Sequence, residues 1–114
     1  MNKDWQTEQN SLCERFNSHF APISPDARIG IALQTLNQRP LHGLRHPPHG
    51  NMSGWYIWGG EYSKDPSFFQ VLHAEHFSDQ CPNLIKFLAL QPGFRFLTDG
   101  DYLDVWFDET LLKI

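Results

Sequence analysis

Phe94-Arg-Phe-Leu-Thr-Asp-Gly-Asp-Tyr-Leu-Asp-Val-Trp-Phe-Asp108 reads as a β-hairpin. Phe94 to Thr98 and Tyr102 to Phe107 form its arms around Asp99-Gly100, and an Asp-Gly pair between two alternating runs is a strong hairpin signal. Side chains alternate across a strand, so Leu103, Val105 and Phe107 share one face of the second arm. Tyr102, Asp104, Trp106 and Asp108 share the other. Upstream, Ser53-Gly-Trp-Tyr-Ile-Trp-Gly-Gly-Glu61 supplies a second strand-like stretch. Trp55 to Gly60 is apolar on both faces, which suits an interior strand. The two stretches hold three of the four tryptophans and set carboxylates beside them.

Working outward, Asp4 to Phe20 predicts an amphipathic helix, with Trp5, Leu12, Cys13, Phe16 and Phe20 along one side. Ala21 to Pro25 breaks it. Ser24 can cap a second helix, with Pro25 at its first position and Asp26 at the positive end of its dipole. Ile29, Ala32, Leu33 and Leu36 give that helix an apolar stripe, and Asn37 ends it. Arg39 to Asn51 carries Pro40, Pro47, Pro48, Gly43 and Gly50, so it reads as extended chain. Leu41 to His46 fits a short edge strand, where flanking prolines are tolerated. Glu61 to Ser67 is a polar connection that turns at Asp65-Pro66. Phe68 to Leu90 is apolar at helical spacing but interrupted by Cys81-Pro82. Proline costs about 3 kcal/mol inside a helix and almost nothing in its first turn, so one helix is expected on either side of Pro82. The expected architecture is α+β: an antiparallel sheet of three or four strands with helices packed on one face.

At 114 residues the chain has the length of one domain, and its 40% hydrophobic content supports a core. Nine basic residues against 13 acidic ones leave a net charge of −4. That balance argues against nonspecific nucleic-acid binding, which basic residues drive by neutralising phosphates. Met1 to Glu8 has no apolar run of a signal peptide, and no stretch is long and apolar enough to span a bilayer. The reading is a cytoplasmic protein whose two cysteines, Cys13 and Cys81, are buried thiols rather than a disulfide.

Several chemistries can be weighed against duller readings. His73-Ala-Glu-His76 sits on an expected helix, and two histidines three apart lie near one face of it. With Glu75 and one of His42, His46 or His49, they would make a small metal-binding or hydrolytic domain. The His-Glu-x-x-His pattern of metalloproteases and any Cys-x-x-Cys pair are absent. Cys81 before a proline reads as core, although His73 or His76 lies within a turn or two of it. Ser53-Gly54 is not a Gly-x-Ser-x-Gly elbow. Gly59-Gly60 fits a bulge better than a phosphate loop. Arg45 and His46 leave open a small-anion pocket.

Charge is unevenly distributed. Ala27 to Gly60 holds Arg28, Arg39, Arg45 and three histidines without one acid. The last segment holds Asp99, Asp101, Asp104, Asp108 and Glu109. These segments either neutralise each other as a solvated surface or leave an acidic face around Tyr102 and Trp106. Such a face would suit a basic protein partner, because aromatic anchors carry binding energy and charges steer encounter. A catalytic carboxylate pair is less suited to an outward face with no burial to raise a pKa. Trp55, Trp58 and Trp106 are core residues or, where one points outward, interface.

Ser53-Gly54-Trp55, the aromatic strand and Gly59-Gly60-Glu61, followed by Asp65-Pro66 and Phe68-Phe69, resemble the immunity proteins of bacterial polymorphic toxin systems. The resemblance is to the family numbered thirty-three in that series, or a sister family. This chain has Met52 where that pattern places an acid before the serine, and Gly60 where it places an acid before the glutamate. The resemblance implies a cytoplasmic, non-enzymatic protein that binds and blocks a toxin domain; separately, the residues lead us to expect no cofactor and no metal. The contact residues expected for a protein partner are Asp99, Asp101, Tyr102, Asp104, Trp106 and Asp108 on the hairpin, with Trp58 and Glu61 beside them. The expected state is monomer or homodimer, with neither nucleic acid nor membrane as partner.

Overall fold

The computed structural model describes residues 3–113; Met1, Asn2 and Ile114, and with them the start of the polar N-terminal stretch, lie outside the described residues. The chain runs α1 (Lys3–Arg15), β1 (Arg28–Ile31), β2 (Leu41–Arg45), β3 (Met52–Gly59), β4 (Gln70–His73), α2 (Ala74–Gln80), β5 (Phe94–Asp99) and β6 (Tyr102–Phe107). Short 3-10 turns occupy Leu33–Thr35, Pro82–Phe87 and Glu109–Leu112. The architecture is α+β, but the sheet has six strands in the order β4-β1-β3-β2-β5-β6. It is mixed: β1 pairs parallel to β3, and every other pairing is antiparallel. The expected three or four antiparallel strands therefore undercount the sheet and miss its parallel pair.

The extra strands lie where helices were expected. Arg28–Ile31 is a strand inserted between β3 and β4, not the middle of a helix over Ser24 to Asn37. The Ile29, Ala32, Leu33 and Leu36 spacing serves a four-residue strand followed by one 3-10 turn equally well. Ile29 and Ile31 bury their branched side chains on one sheet face, which favours strand. Likewise Gln70–His73 is an edge strand before α2, where one helix from Phe68 was expected. Leu41–Arg45 is interior rather than edge, flanked by β3 and β5. Its prolines, Pro40 and Pro47, fall outside the paired residues, so no donor is missing from either ladder.

The first helix also ends earlier than its apolar side suggests. Asn17 takes a left-handed φ of 61°. Its N–H bonds Glu14 O at 3.4 Å, and Ser18 N–H bonds Cys13 O at 2.8 Å. That pair of bonds is a Schellman stop, for which asparagine is a natural C′ residue. Phe20 then leaves the helix and forms a bridge with Leu90.

The hairpin is present, with Asp99 paired to Tyr102. Its two-residue loop is thus Gly100-Asp101. Gly100 has φ 59° and Asp101 does not share a positive φ, the pattern of a loop that takes glycine at its first central position.

The core lies between one sheet face and a layer made by α1, α2 and Pro82–Phe87. Ile29, Ile31, Trp55, Ile57, Phe94, Phe96 and Val105 meet Leu12, Cys13, Phe77, Leu84, Ile85 and Phe87 there. The Trp55 indole donates to Leu88 O at 3.0 Å, so even its polar atom is satisfied. Phe96 stacks on Phe87 with ring centroids 4.1 Å apart. Both cysteines are free and buried.

Candidate partner-binding face

The helices leave the opposite face of the sheet open, and register assigns its occupants. Residues that pair directly across strands point the same way. Trp58, His42, Leu97 and Asp104 form one cross-strand row, and Tyr56, Leu44, Arg95 and Trp106 form the next. Trp58 on β3 and Asp104 on β6 stand three strand spacings apart, roughly 14 Å. The structure therefore places these expected contact residues on one face, at its middle and at its β6 edge.

At the middle of the face, Trp58 is only 5% exposed. His42 stacks on it, with centroids 5.0 Å apart and planes 17° from parallel. Tyr62 and Phe69, from the connection after β3, meet it nearly edge-on at 68° and 79°. Phe69 is likewise steep to Tyr56, at 70°, and Tyr56 to His46, at 71°. His46, Tyr56, Trp58, Tyr62 and Phe69, with Leu44, line a recess of about 260 Å³. His46 Nδ1 lies 2.9 Å from Leu111 O, so Nδ1 carries the proton as donor. The Trp58 indole N–H is buried without an acceptor among the described residues. Burial, and secondarily the charge of Arg95, lowers the pKa of His42, against a smaller opposing hydrogen bond that the ring makes to the Gly60 backbone.

The β6 edge is different in character. Tyr102 is 58% exposed and Trp106 37%, and Asp99, Asp101 and Asp104 are exposed around them. Arg95 lies over the Trp106 ring at 5.7 Å and pairs with Asp108 at 3.2 Å. Asp108 is committed further, because it accepts from Thr110 N–H and from the Thr110 hydroxyl. The Thr110 hydroxyl, more than Arg95, holds its carboxyl below the ordinary range. Asp108 thus organises the chain end, and Asp99, Asp101 and Asp104 form no ion pair among the described residues. Glu61 is exposed directly after β3, beside Tyr62.

Tyr56, Tyr62, Phe69 and Leu44 were not expected at a site, and His46 was expected only as a metal ligand or beside an anion. Aromatic side chains inside an otherwise polar connection, Tyr62 and Phe68-Phe69, were the available signal.

The motif residues themselves hold the fold. The Ser53 hydroxyl donates to Arg28 O at 2.8 Å and ties β3 to β1. Gly54 has φ 95° and lets the His46 carbonyl pass where a Cβ would stand. The Gly59 N–H donates to Thr35 Oγ1 at 2.8 Å. Arg45, left open above as an anion ligand, is 3% exposed and donates to the carbonyls of Ser53, Ala21 and Leu90 at 3.1, 2.8 and 2.7 Å. Burial lowers its guanidinium to about 10, still protonated at neutral pH. Its Nε and Nη1 donors are taken up by backbone carbonyls.

Nucleophilic chemistry finds no support. Burial pushes the Cys81 thiol up to about 11 and also raises Cys13. A thiol raised in this way carries little thiolate at neutral pH. His73, Glu75 and His76 do come together: one ligand atom from each lies within 4.8 Å of the others. None of His42, His46 and His49 joins them. His42 and His46 are engaged on the open face, and His49 forms a bridge with Met52.

No helix among the described residues is long and apolar enough to cross a membrane. No curated protein and no solved structure matches the chain. A family model does, that of the Imm33-like domain, over residues 8–108. That span takes in the later part of α1 from Glu8, all six strands and α2, together with the serine–glycine–tryptophan motif and the open face, and so the chain belongs to the Imm33-like family.

Proposed function

We propose that this chain is a cytoplasmic, single-domain immunity protein that binds a toxin domain and blocks it without catalysing a reaction. Membership of the Imm33-like family is the observation that carries this reading. The open sheet face supports it, since it offers an aromatic recess and an exposed Trp106 and Tyr102 among unpaired aspartates. A desolvated tryptophan is the usual energetic centre of a protein interface, and flanking acids set orientation and encounter rate with a basic partner. The docking surface is Asp99, Asp101, Tyr102, Asp104 and Trp106, extended toward Glu61 and the recess floored by Trp58. Asp108 supports it through Arg95.

The test starts from capture of the stoichiometric partner in the source organism's lysate. Its isolated toxic domain is then expressed in cells with and without this chain. Protection is expected, with Trp106→Ala weakening the purified complex by about 2 kcal/mol or more, roughly 30-fold. Asp104→Asn should mainly slow association and flatten its salt dependence. A partner whose toxicity persists in the presence of this chain refutes the function. Unchanged affinity in both variants moves the interface off this face.

A further inference from the structure

We infer that His73, Glu75 and His76 form a binding site for one zinc-class divalent cation at the junction of β4 and α2. The last residue of β4 and the second and third of α2 supply two imidazoles and a carboxylate. Two nitrogen donors favour zinc over calcium or magnesium, which take oxygen ligands. The junction backbone is held in place: Ala74 N–H donates to Ala27 O at 2.8 Å and Glu75 N–H to Pro25 O at 2.9 Å. His73 itself is extended, at φ −70° and ψ 142°, so its side chain meets the helix from outside.

The side chains are close to ligating distance of one another. Bonds of about 2.0–2.1 Å to a tetrahedral zinc put its ligand atoms roughly 3.3 Å apart. His76 Nε2 and Glu75 Oε1 already stand 3.6 Å apart, and the widest separation in the group is 4.8 Å. The His73 and His76 rings lie 22° from parallel with centroids 6.2 Å apart, an approach that small side-chain rotations can close. The side chains of His76 and Glu75 are 61% and 52% exposed, which leaves these two room to rotate toward His73. The glutamate also neutralises half of the ion's charge. Arg28, opposite His73 across β1 and β4, is exposed and therefore screened. Three protein ligands leave a fourth position for water or an incoming donor. The site lies on the β4 edge of the sheet, at the far side from the β6 hairpin, so it is separate from the hairpin part of the docking surface proposed above.

Tag-free full-length protein titrated with zinc chloride, followed by NMR of the imidazole nitrogens, tests this. One equivalent should shift His73 and His76 and leave His42, His46 and His49 in place. His73→Ala and His76→Ala should each weaken binding at least tenfold, as should Glu75→Gln; loss of even an outer-shell partner costs about 10–100-fold. His49→Ala serves as the control and should bind as the wild type does. Circular dichroism of each exposed-site variant should match the wild type. Zinc shifts confined to other histidines, affinity unchanged in the His73 and His76 variants, or no shift at millimolar zinc would each overturn the assignment.

Discussion

Arg45→Met removes a buried guanidinium while retaining most of its volume, and it should destabilise the protein by about 2–4 kcal/mol. The magnitude follows from what the guanidinium holds. Its three bonds join β3 at Ser53 to the segment after α1 at Ala21 and to the turn at Leu90. The bonds to Ser53 O and Leu90 O are fully buried, whereas that to Ala21 O is partly exposed and can turn to water. An acceptor buried without a partner costs about 1–3 kcal/mol, so two set a loss of at least about 2. Against this, methionine removes the cost of holding a cation out of water, a cost visible in the lowered guanidinium pKa. The carbonyls should win, because methionine offers them nothing. Urea unfolding followed by tryptophan fluorescence provides the assay, with Trp55 beneath the guanidinium at 5.8 Å as a native reporter. The melting temperature should fall by roughly 8–16 °C. Arg45→Lys should recover less than half of the loss, since one ammonium on a flexible stem cannot reproduce the planar fork. Stability within 0.5 kcal/mol of wild type for Arg45→Met would show that desolvation of the charge cancels its bonds, as it does in some buried ion pairs, and would refute the reasoning.

Gly43→Ala should cost about 1–3 kcal/mol by overpacking, because a Cβ there meets the Phe96 ring, which is fixed between Phe87 and Trp55. If that collision is the cause, Phe96→Leu in the Gly43→Ala background should be less destabilising than Phe96→Leu alone, measured as denaturant midpoints. For His42, burial lowers the folded pKa below the unfolded value of about 6.5. The unfolded chain then binds the extra proton first, so this contribution is present above that pH and is lost as pH falls through 6.5 toward the folded pKa. Wild type should lose more stability between pH 7 and pH 5 than His42→Gln does; equal losses would remove His42 as the source.

The open face shows how aromatic content divides between fold and site. The upstream tryptophans are structural: Trp55 is in the core, and Trp58 is roofed by His42, Tyr62 and Phe69. Trp106 alone of the three presents a substantial surface. The stretch Ser53-Gly54-Trp55 through Gly59 holds β3 against β1 and against the Leu33–Thr35 turn.

The hairpin, its two faces, the interior strand around Trp55 and the break at Pro82 are legible in the sequence. Each rests on signals within a few residues: a glycine turn, strict alternation, or a proline that cannot donate. Asp104 and Trp106 could be placed on an outward face for the same reason. Long-range packing makes Arg28–Ile31 and Gln70–His73 strands and puts Leu41–Arg45 in the interior of the sheet. Four-residue strands carry too little periodicity to differ from a helical turn, and their stability comes from ladders to chain some 25 to 45 residues away. The aromatic recess is likewise a product of assembly. Its walls come from β2, β3 and the following connection, and they meet only when the parallel pairing of β1 and β3 sets the order of the sheet.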